Sequence, residues 1–395
     1  MMFAVTKSSS SALVAPWKPT PTGDLPLTST DKSRLFLYFT SFHVFEHPIH
    51  EPAETIRHAL SRALVHYYPI AGRVSVGDDD VKISCTGDGV AFFAAAASCD
   101  LRDVRFLDVD DIDGSCHSDP LMTMQVTEFA CGGYVLGVTT NHVIADAFGL
   151  AQFLQAVGEH ARGVPSPHDA SLPDIPQLLP AMPRSPSTLK HVDFAYTDRT
   201  IPWSFINRVK AEFMSCTVFE VVAAAIWQCR ARAIGAAHDA QAPLVFTANV
   251  RKHVGAKDGY YGNCVTSQVV AATSGAVASS AIVDLVKLIK DAKERLTTST
   301  LLAAEQAIMT EEIADALCGY DALFVSSWGG IGLDGVDFGG GKPARVVPNM
   351  ERTVVPFCWP CLPCSKKDHH GSNVIACCVT QVHVDEFHSQ LDRLR

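Results

Sequence analysis

The residues best equipped for chemistry lie in Thr139-Thr140-Asn141-His142-Val143-Ile144-Ala145-Asp146-Ala147-Phe148-Gly149. An unperturbed imidazole titrates near about 6.5, so His142 can take up a proton and return it at working pH. Four residues on, the carboxylate of Asp146 can orient an imidazole or brace the chain by pairing elsewhere. Spacing alone leaves this open. His-x-x-x-Asp arises by chance in many chains, and most such histidines are structural or solvated.

A second cluster pulls another way. Cys358-Trp359-Pro360-Cys361-Leu362-Pro363-Cys364 is followed by His369-His370. These residue types ligate zinc, and Cys-Trp-Pro-Cys has the form of a redox dithiol. No helix start follows to lower a thiol pKa, and structural zinc sites draw ligands from two separated knuckles. A loop joining two strands is the favoured reading, and no metal is expected. Gly-x-Ser-x-Gly is absent, which argues against an esterase nucleophile. Neither a Walker A loop nor a dinucleotide fingerprint is present.

The elements around His142 explain how it could be positioned. Tyr134 to Thr140 reads as a strand. From Phe148 the apolar spacing turns helical, and Asp146 stands where an N-cap belongs. His142 therefore sits on a strand-to-helix corner. Upstream, Pro52 opens a helix with one apolar stripe, Ile56, Ala59, Leu60, Ala63, Leu64 and Tyr67. Leu27 to Asp31 reads as a polar turn, and Arg34 to Phe45 as a strand. In the second half, Thr217-Val218-Phe219-Glu220 is a capping-box pattern opening an apolar helix to about Ala233. Helices are expected over Trp203–Phe213, Ser280–Leu296, Glu311–Leu317 and from Asp385 onward. Strands are expected over Leu244–Val250, Val265–Ala271, Leu323–Trp328, Ala344–Val347, Val354–Trp359 and Val374–Val382.

A chain of 395 residues is too long for one ordinary core. Seven prolines between Val164 and Pro186 mark the expected crossover. This gives an N-terminal lobe, 1–186, carrying His-x-x-x-Asp, and a C-terminal lobe, 187–395. Both mix strands with covering helices, an α/β (α+β) architecture. Two such lobes would put a cleft between them, with His142 facing it. The net charge of −10 argues against nucleic acid or an anionic membrane as the main partner. No signal-peptide core follows Lys7, and no apolar run is long enough to span a bilayer, so a cytoplasmic location is expected. The thirteen cysteines read as small buried hydrophobes in a reducing compartment.

The chain resembles the plant BAHD acyl-CoA-dependent acyltransferases over nearly its whole length. The resemblance is carried by Tyr67-Tyr68-Pro69-Ile70-Ala71-Gly72-Arg73, His142 to Gly149, and Ala224-Ala225-Ile226-Trp227-Gln228-Cys229-Arg230. It continues in Asn249-Val250-Arg251, Tyr261-Gly262-Asn263-Cys264 and Asp337-Phe338-Gly339-Gly340-Gly341-Lys342-Pro343. The last motif departs from the family pattern: its usual tryptophan is Gly340 here. Loss of a buried tryptophan costs about 3–5 kcal/mol where a cavity remains, so a loosened C-terminal lobe is expected. The proline-rich opening Lys18 to Thr22 is closest to the grass branch that moves hydroxycinnamoyl or benzoyl groups.

The resemblance implies a two-lobe fold of the chloramphenicol acetyltransferase type with a channel between the lobes. It implies acyl transfer from acyl-CoA, as co-substrate, to a hydroxyl or amine. No cofactor would be permanently bound, and the protein would act as a monomer. His142 would be the general base and Asp146 its structural support, paired with Arg251. Asp337, Gly339 and Gly341 would belong to a structural motif. Trp328 would serve the oxyanion or acceptor side, although packing at a strand end fits it as well. Ser326, Phe36 and Tyr38 would line the acceptor pocket, and core packing accounts for either ring equally. Lys252 and Lys257 would meet CoA phosphates, although a solvated pair fits them too. The family places arginine near the tryptophan where the acceptor is acidic. Here Gly329-Gly330-Ile331-Gly332 follows, so a neutral monolignol-type alcohol or an amine is expected. The alternative is a catalytically silent relative that binds a small molecule or a partner.

Overall fold

The computed structural model describes residues 5–7, 12–35, 37–77, 80–103, 119–164, 192–298, 319–349 and 353–395. Phe36, residues 165–186 of the proline-rich crossover and the helix expected at 311–317 lie outside them.

The chain divides into two compact units. The first is Met1–Gln177, Gly255–Cys264 and Gly330–Asn349; the second is Leu178–Val254, Val265–Gly329 and Met350–Arg395. The single crossover expected from the sequence is thus replaced by repeated exchange of chain. The Asp337 motif, expected in the C-terminal lobe, belongs to the first unit.

In the first unit the main sheet runs β1 (Val5–Lys7), β7 (Val90–Ala97), β8 (Met122–Phe129), β9 (Tyr134–Asn141), β4 (Tyr38–Phe45) and β14 (Arg345–Pro348), with β2 (Ala12–Val14) also on β7. Among the described residues, only β7 and β8 run parallel in this sheet. Antiparallel pairing of Val346 with His43 is what draws the late segment into this unit. A small sheet of β3 (Asp24–Pro26), β6 (Val81–Ser84) and β5 (Arg73–Val76) sits beside it. Helices α2 (Pro52–Ala63) and α3 (Ala147–Ala161) pack on each other, and α2 packs on β8. The apolar stripe of α2 is fully buried, which is the energetic reason that it forms.

The Asp337 turn is clamped onto this framework. Asp337 Oδ1 accepts from the N–H groups of Gly339, at 2.7 Å, and Gly341, at 2.9 Å. Both glycines hold positive φ, 115° and 98°, which disfavours a side chain. Phe338 is buried edge-on against Phe45, with centroids 5.4 Å apart. The Asp337 carbonyl accepts from Arg162 of α3 and lies 2.4 Å from where a Cβ on Gly158 would be. Gly340 is half-buried and closely approached by its neighbours. A Cβ there would lie 2.8 Å from Ile49 Cγ2 and 3.1 Å from the His47 carbonyl oxygen. Residues 47–49 crowd the direction a side chain would take, which speaks against the loosening expected from the sequence. Gly340→Trp is expected to destabilise the protein by about 1–3 kcal/mol or more through overpacking. Thermal unfolding of the variant checks this; an unchanged or raised midpoint would mean the pocket is still open.

The second unit is built around α5 (Val218–Ile234), capped by Thr217 and Glu220 and ended by Gly235 at φ 61°. Most of its residues are buried, so it is apolar on nearly every side. Its polar side chains are satisfied internally. Gln228 donates to the carbonyls of Val277 and Ser280, and Arg230 to those of Cys378, Asp321 and Tyr320. Around it pack α4 (Trp203–Glu212), α6 (Ser274–Ser279), α7 (Ile282–Glu294) and α8 (Val384–Asp392). The sheet runs β10 (Thr197–Pro202), β16 (Gly371–Cys377), β15 (Phe357–Pro360), β13 (Leu323–Val325), β11 (Leu244–Asn249) and β12 (Val265–Val270). Among the described residues no helix is long and apolar enough to cross a membrane.

Candidate active site

Strand β9 delivers His142 to the rim of the first sheet. Three hydrogen bonds fix the corner. Asn141 Nδ2 donates to the Leu35 carbonyl at 3.1 Å, His142 N–H to that of Leu37 at 2.7 Å, and Val143 N–H to Asn141 Oδ1 at 3.0 Å. The preceding segment is shaped by α1 (Ser29–Lys32), a single helical turn where the sequence reads as a polar turn. Thr28 and Asp31 form its capping box.

Asp146 is the N-cap of α3. Its Oδ1 accepts from Gly149 N–H at 3.0 Å and its Oδ2 from Cys264 N–H at 2.9 Å. It is 1% exposed, and its charge acts on the guanidinium of Arg34. In this unit it ties helix, loop and cation together. Gly149 makes this possible: a Cβ there would lie 1.8 Å from the Tyr261 carbonyl oxygen.

That close approach carries Asn263 to His142. Asn263 Nδ2 donates to Asp31 Oδ1 at 2.8 Å and to the His142 carbonyl at 2.7 Å. Asn263 Oδ1 accepts from Arg34 Nη1 at 2.7 Å and stands 3.0 Å from His142 Nδ1. The amide orientation follows from its neighbours, since reversal would set N–H against guanidinium and oxygen against carboxylate. Oδ1 only accepts, so His142 Nδ1 carries the proton and Nε2 keeps its lone pair. Burial pushes the imidazole down to about 4, helped by the Arg34 charge and opposed by Asp146. The residue as a whole is half-buried. A neutral, Nδ1–H imidazole with a free Nε2 is the form that a general base requires.

Phe39 lies with its centroid 4.9 Å from that ring, tilted by 57°. Tyr38, paired with Asn141, points to the opposite face of β4 by strand alternation. Phe36 and Tyr38 were the expected wall residues and Phe39 was not, because alternation can be read from the sequence but its phase cannot. The stretch from about Asp31 to Tyr38 read as an acceptor wall, and no role in setting the imidazole followed for Arg34, Asp31 or Asn263. The capping spacing Thr28-x-x-Asp31 was readable; the contact across 121 residues was not.

In the second unit Trp328, three residues past β13, is 5% exposed, and its backbone N–H donates to the Pro360 carbonyl at 3.4 Å. Ser326 accepts from Thr247 Oγ1 at 3.1 Å. The backbone N–H of Arg251 donates to Asn249 Oδ1 at 3.0 Å. Lys252 of this unit, and Lys257 of the first, are exposed. Of the competing cysteines, Cys358 is fully buried and its thiol is pushed well above the usual range. Cys361 sits at φ 58° and accepts from Ser372 Oγ at 3.4 Å. Among the described residues no three His, Cys, Asp or Glu side chains are grouped to hold a metal.

The family model of the Transferase family matches residues 3–200 and 203–393. The chain belongs to the plant BAHD acyltransferases. A rice relative in this BAHD family, acyl transferase 15, is 38% identical, covering all of this chain and 99% of that protein. A Crocosmia myricetin 3-O-glucosyl 1,2-rhamnoside 6'-O-caffeoyltransferase is 32% identical, with 99% of each chain covered. A Petunia benzyl alcohol O-benzoyltransferase is 28% identical over 97% of this chain and 92% of that one. Among solved structures, vinorine synthase matches with a TM-score of 0.78 at 18% identity, over 99% of this chain and 98% of that one. TRI101 of F. graminearum, solved with ethyl coenzyme A, matches at 0.73 and 15% identity, over 93% and 97%. These two similarities speak to fold. As a BAHD member the chain is an acyl-CoA-dependent acyltransferase, with acyl-CoA as its co-substrate.

Proposed function

We propose that this acyltransferase moves an aromatic acyl group, hydroxycinnamoyl or benzoyl, from acyl-CoA to a hydroxyl or amine of a small neutral acceptor. His142 is the general base, and the acceptor attacks directly in a ternary complex. The observation that carries this is the bond from His142 Nδ1–H to Asn263 Oδ1, which leaves Nε2 as a proton acceptor.

Nε2 takes the proton of the acceptor O–H or N–H as its heavy atom bonds to the thioester carbon. The tetrahedral oxyanion needs a donor, the role proposed for the Trp328 indole. As the carbon–sulfur bond breaks, the imidazolium returns the proton to the departing thiolate. No enzyme nucleophile is required, because a thioester is already activated. The aromatic acyl class is supported by the caffeoyl- and benzoyl-transferring relatives. A neutral acceptor is supported by Gly329-Gly330-Ile331-Gly332, which follows Trp328 without an arginine. Phe39, half-exposed beside the imidazole, offers an aromatic wall. Asp146, Arg251, Asp337, Gly339 and Gly341 are structural in this reading, and Lys252 and Lys257 take CoA phosphates. The enzyme works as a cytosolic monomer, which sedimentation and cell fractionation check.

The test is thiol release from hydroxycinnamoyl-CoA and benzoyl-CoA against a panel of alcohols and amines, with product mass as the readout. Release above background with a neutral acceptor is expected. No release with any pair would favour a silent binding protein. A pH profile adds a separate expectation. With the imidazole pushed down to about 4, its proton is already off above about pH 5. The kcat/KM is therefore expected to stay level from about pH 5 to 8. An acid limb near the ordinary 6.5 would contradict the buried, cation-flanked setting of this ring.

A further inference from the structure

Arg34 is 2% exposed and Asp31 7% exposed, and both meet the same side chain. Arg34 Nη1 holds the oxygen end of the Asn263 amide and Asp31 Oδ1 the nitrogen end. We infer that Arg34 and Asp31 are positioning residues for acyl transfer: by gripping opposite ends of this amide they keep its oxygen on His142 Nδ1 and the Nε2 lone pair toward substrate. The inference rests on the reading of His142 as base.

The chemistry of an amide explains why two charges are needed. Carbonyl and NH2 are nearly equal in size, so packing alone cannot choose between the two orientations. A flipped Asn263 would present N–H to the ring. His142 would then need its lone pair at Nδ1 and its proton at Nε2, a donor where the reaction requires an acceptor. The charges break that degeneracy. Thr28 donates to the Asp31 carboxylate twice, through N–H at 2.9 Å and Oγ1 at 2.6 Å; these bonds favour the ionised acid against the burial that pushes its pKa up. A carboxylate so surrounded accepts, and the amide nitrogen must face it. A guanidinium only donates, so the amide oxygen must face Arg34. Burying such a pair seldom raises stability over an apolar replacement. Its value here is directional.

Among the described residues, the charges acting on the ring are Arg34, from the turn after α1, and Asp146, the N-cap of α3. Asp31 and the Cys264 thiol, from the loop carrying Asn263, act in turn on Arg34. Arg34 is the cation in this described set. It holds the ring neutral by its charge as well as by its grip on Asn263.

Ring 15N resonances of His142 at neutral pH test this, together with kinetics of Arg34→Met. The parent is expected to show the Nδ1–H tautomer; an Nε2–H tautomer would overturn the inference outright. Arg34→Met is expected to give a mixture of tautomers and a kcat lower by about tenfold or more, with the acyl-CoA KM little changed. The acid limb of kcat/KM is expected to move up by about one pH unit, because a neighbouring cation has gone. A merely structural role would lower the folded fraction without moving that limb or the tautomer. Should Arg34→Met not fold, Arg34→Gln, which keeps a donor for Asn263 but no charge, is read on the acid limb alone. A limb that stays in place then overturns the electrostatic part. His142→Ala separates the two readings. Full turnover in that variant would sink the base assignment. Loss of turnover there, with parental tautomer and kcat in Arg34→Met, would sink only the inference.

Discussion

His142→Ala is expected to lower kcat by about 10²–10⁴-fold while leaving the fold intact. The size follows from the step removed. An acceptor hydroxyl is a poor nucleophile until its proton leaves, and in the proposed mechanism Nε2 takes it. The fold should survive because the ring is not a core filler. The residue is half-buried, and its backbone N–H bond to Leu37 needs no side chain. Binding of acyl-CoA should change little, so the loss should appear in kcat and not in KM. Asp146→Ala should behave differently. It removes the N-cap of α3, the acceptor of Cys264 N–H and an anion facing Arg34. Loss of the cap alone costs about 1 kcal/mol, so stability should fall together with activity. Thiol-release kinetics and thermal unfolding of the two variants check the contrast. Parental turnover in His142→Ala would end the general-base reading.

Gly149→Ala is expected to be the most damaging methyl group that can be added near the site. The added carbon would lie 1.8 Å from the Tyr261 carbonyl oxygen, well inside contact distance. The obstacle is backbone, so no rotamer change relieves it. Either α3 or the 260–264 loop must move. Overpacking of this kind costs about 1–3 kcal/mol and occasionally more. Movement of the loop also withdraws Asn263 from His142 and Cys264 N–H from Asp146. Activity should therefore fall further than stability does. Unfolding midpoint and kcat, measured on the same preparation, test this. An unaltered midpoint with parental kcat would show that the loop yields freely.

Local pattern was legible in this sequence, and long-range partnership was not. The stripe from Ile56 to Tyr67 and the capping box at Thr217 predicted helices that are present, because each signal lies within one element. The strand-to-helix corner at His142 was readable for the same reason. Phe39 was missed because alternation gives two faces and does not say which meets the imidazole. Asn263 was missed as a partner because its meeting with His142 depends on the loop that Gly149 admits. The return of 330–349 to the first unit was invisible, since a short strand carries no mark of the edge that it will join. Gly340 was misjudged for a related reason: an absent side chain says nothing about what has moved into its place.

The joining of Arg345–Pro348 to Tyr38–Phe45 has a consequence for how the protein is made. One flank of that strand has no native partner until about 300 further residues have been synthesised. At ~5–20 residues per second that is a wait of about 15–60 s on the ribosome. An unpaired strand edge invites pairing with other chains, so the nascent first unit is vulnerable to association during translation. A fragment ending at the proline-rich segment never receives that strand, nor the loop bearing Asn263. Such a fragment should emerge aggregated and without a set imidazole, whereas co-expression with the remaining residues should restore both.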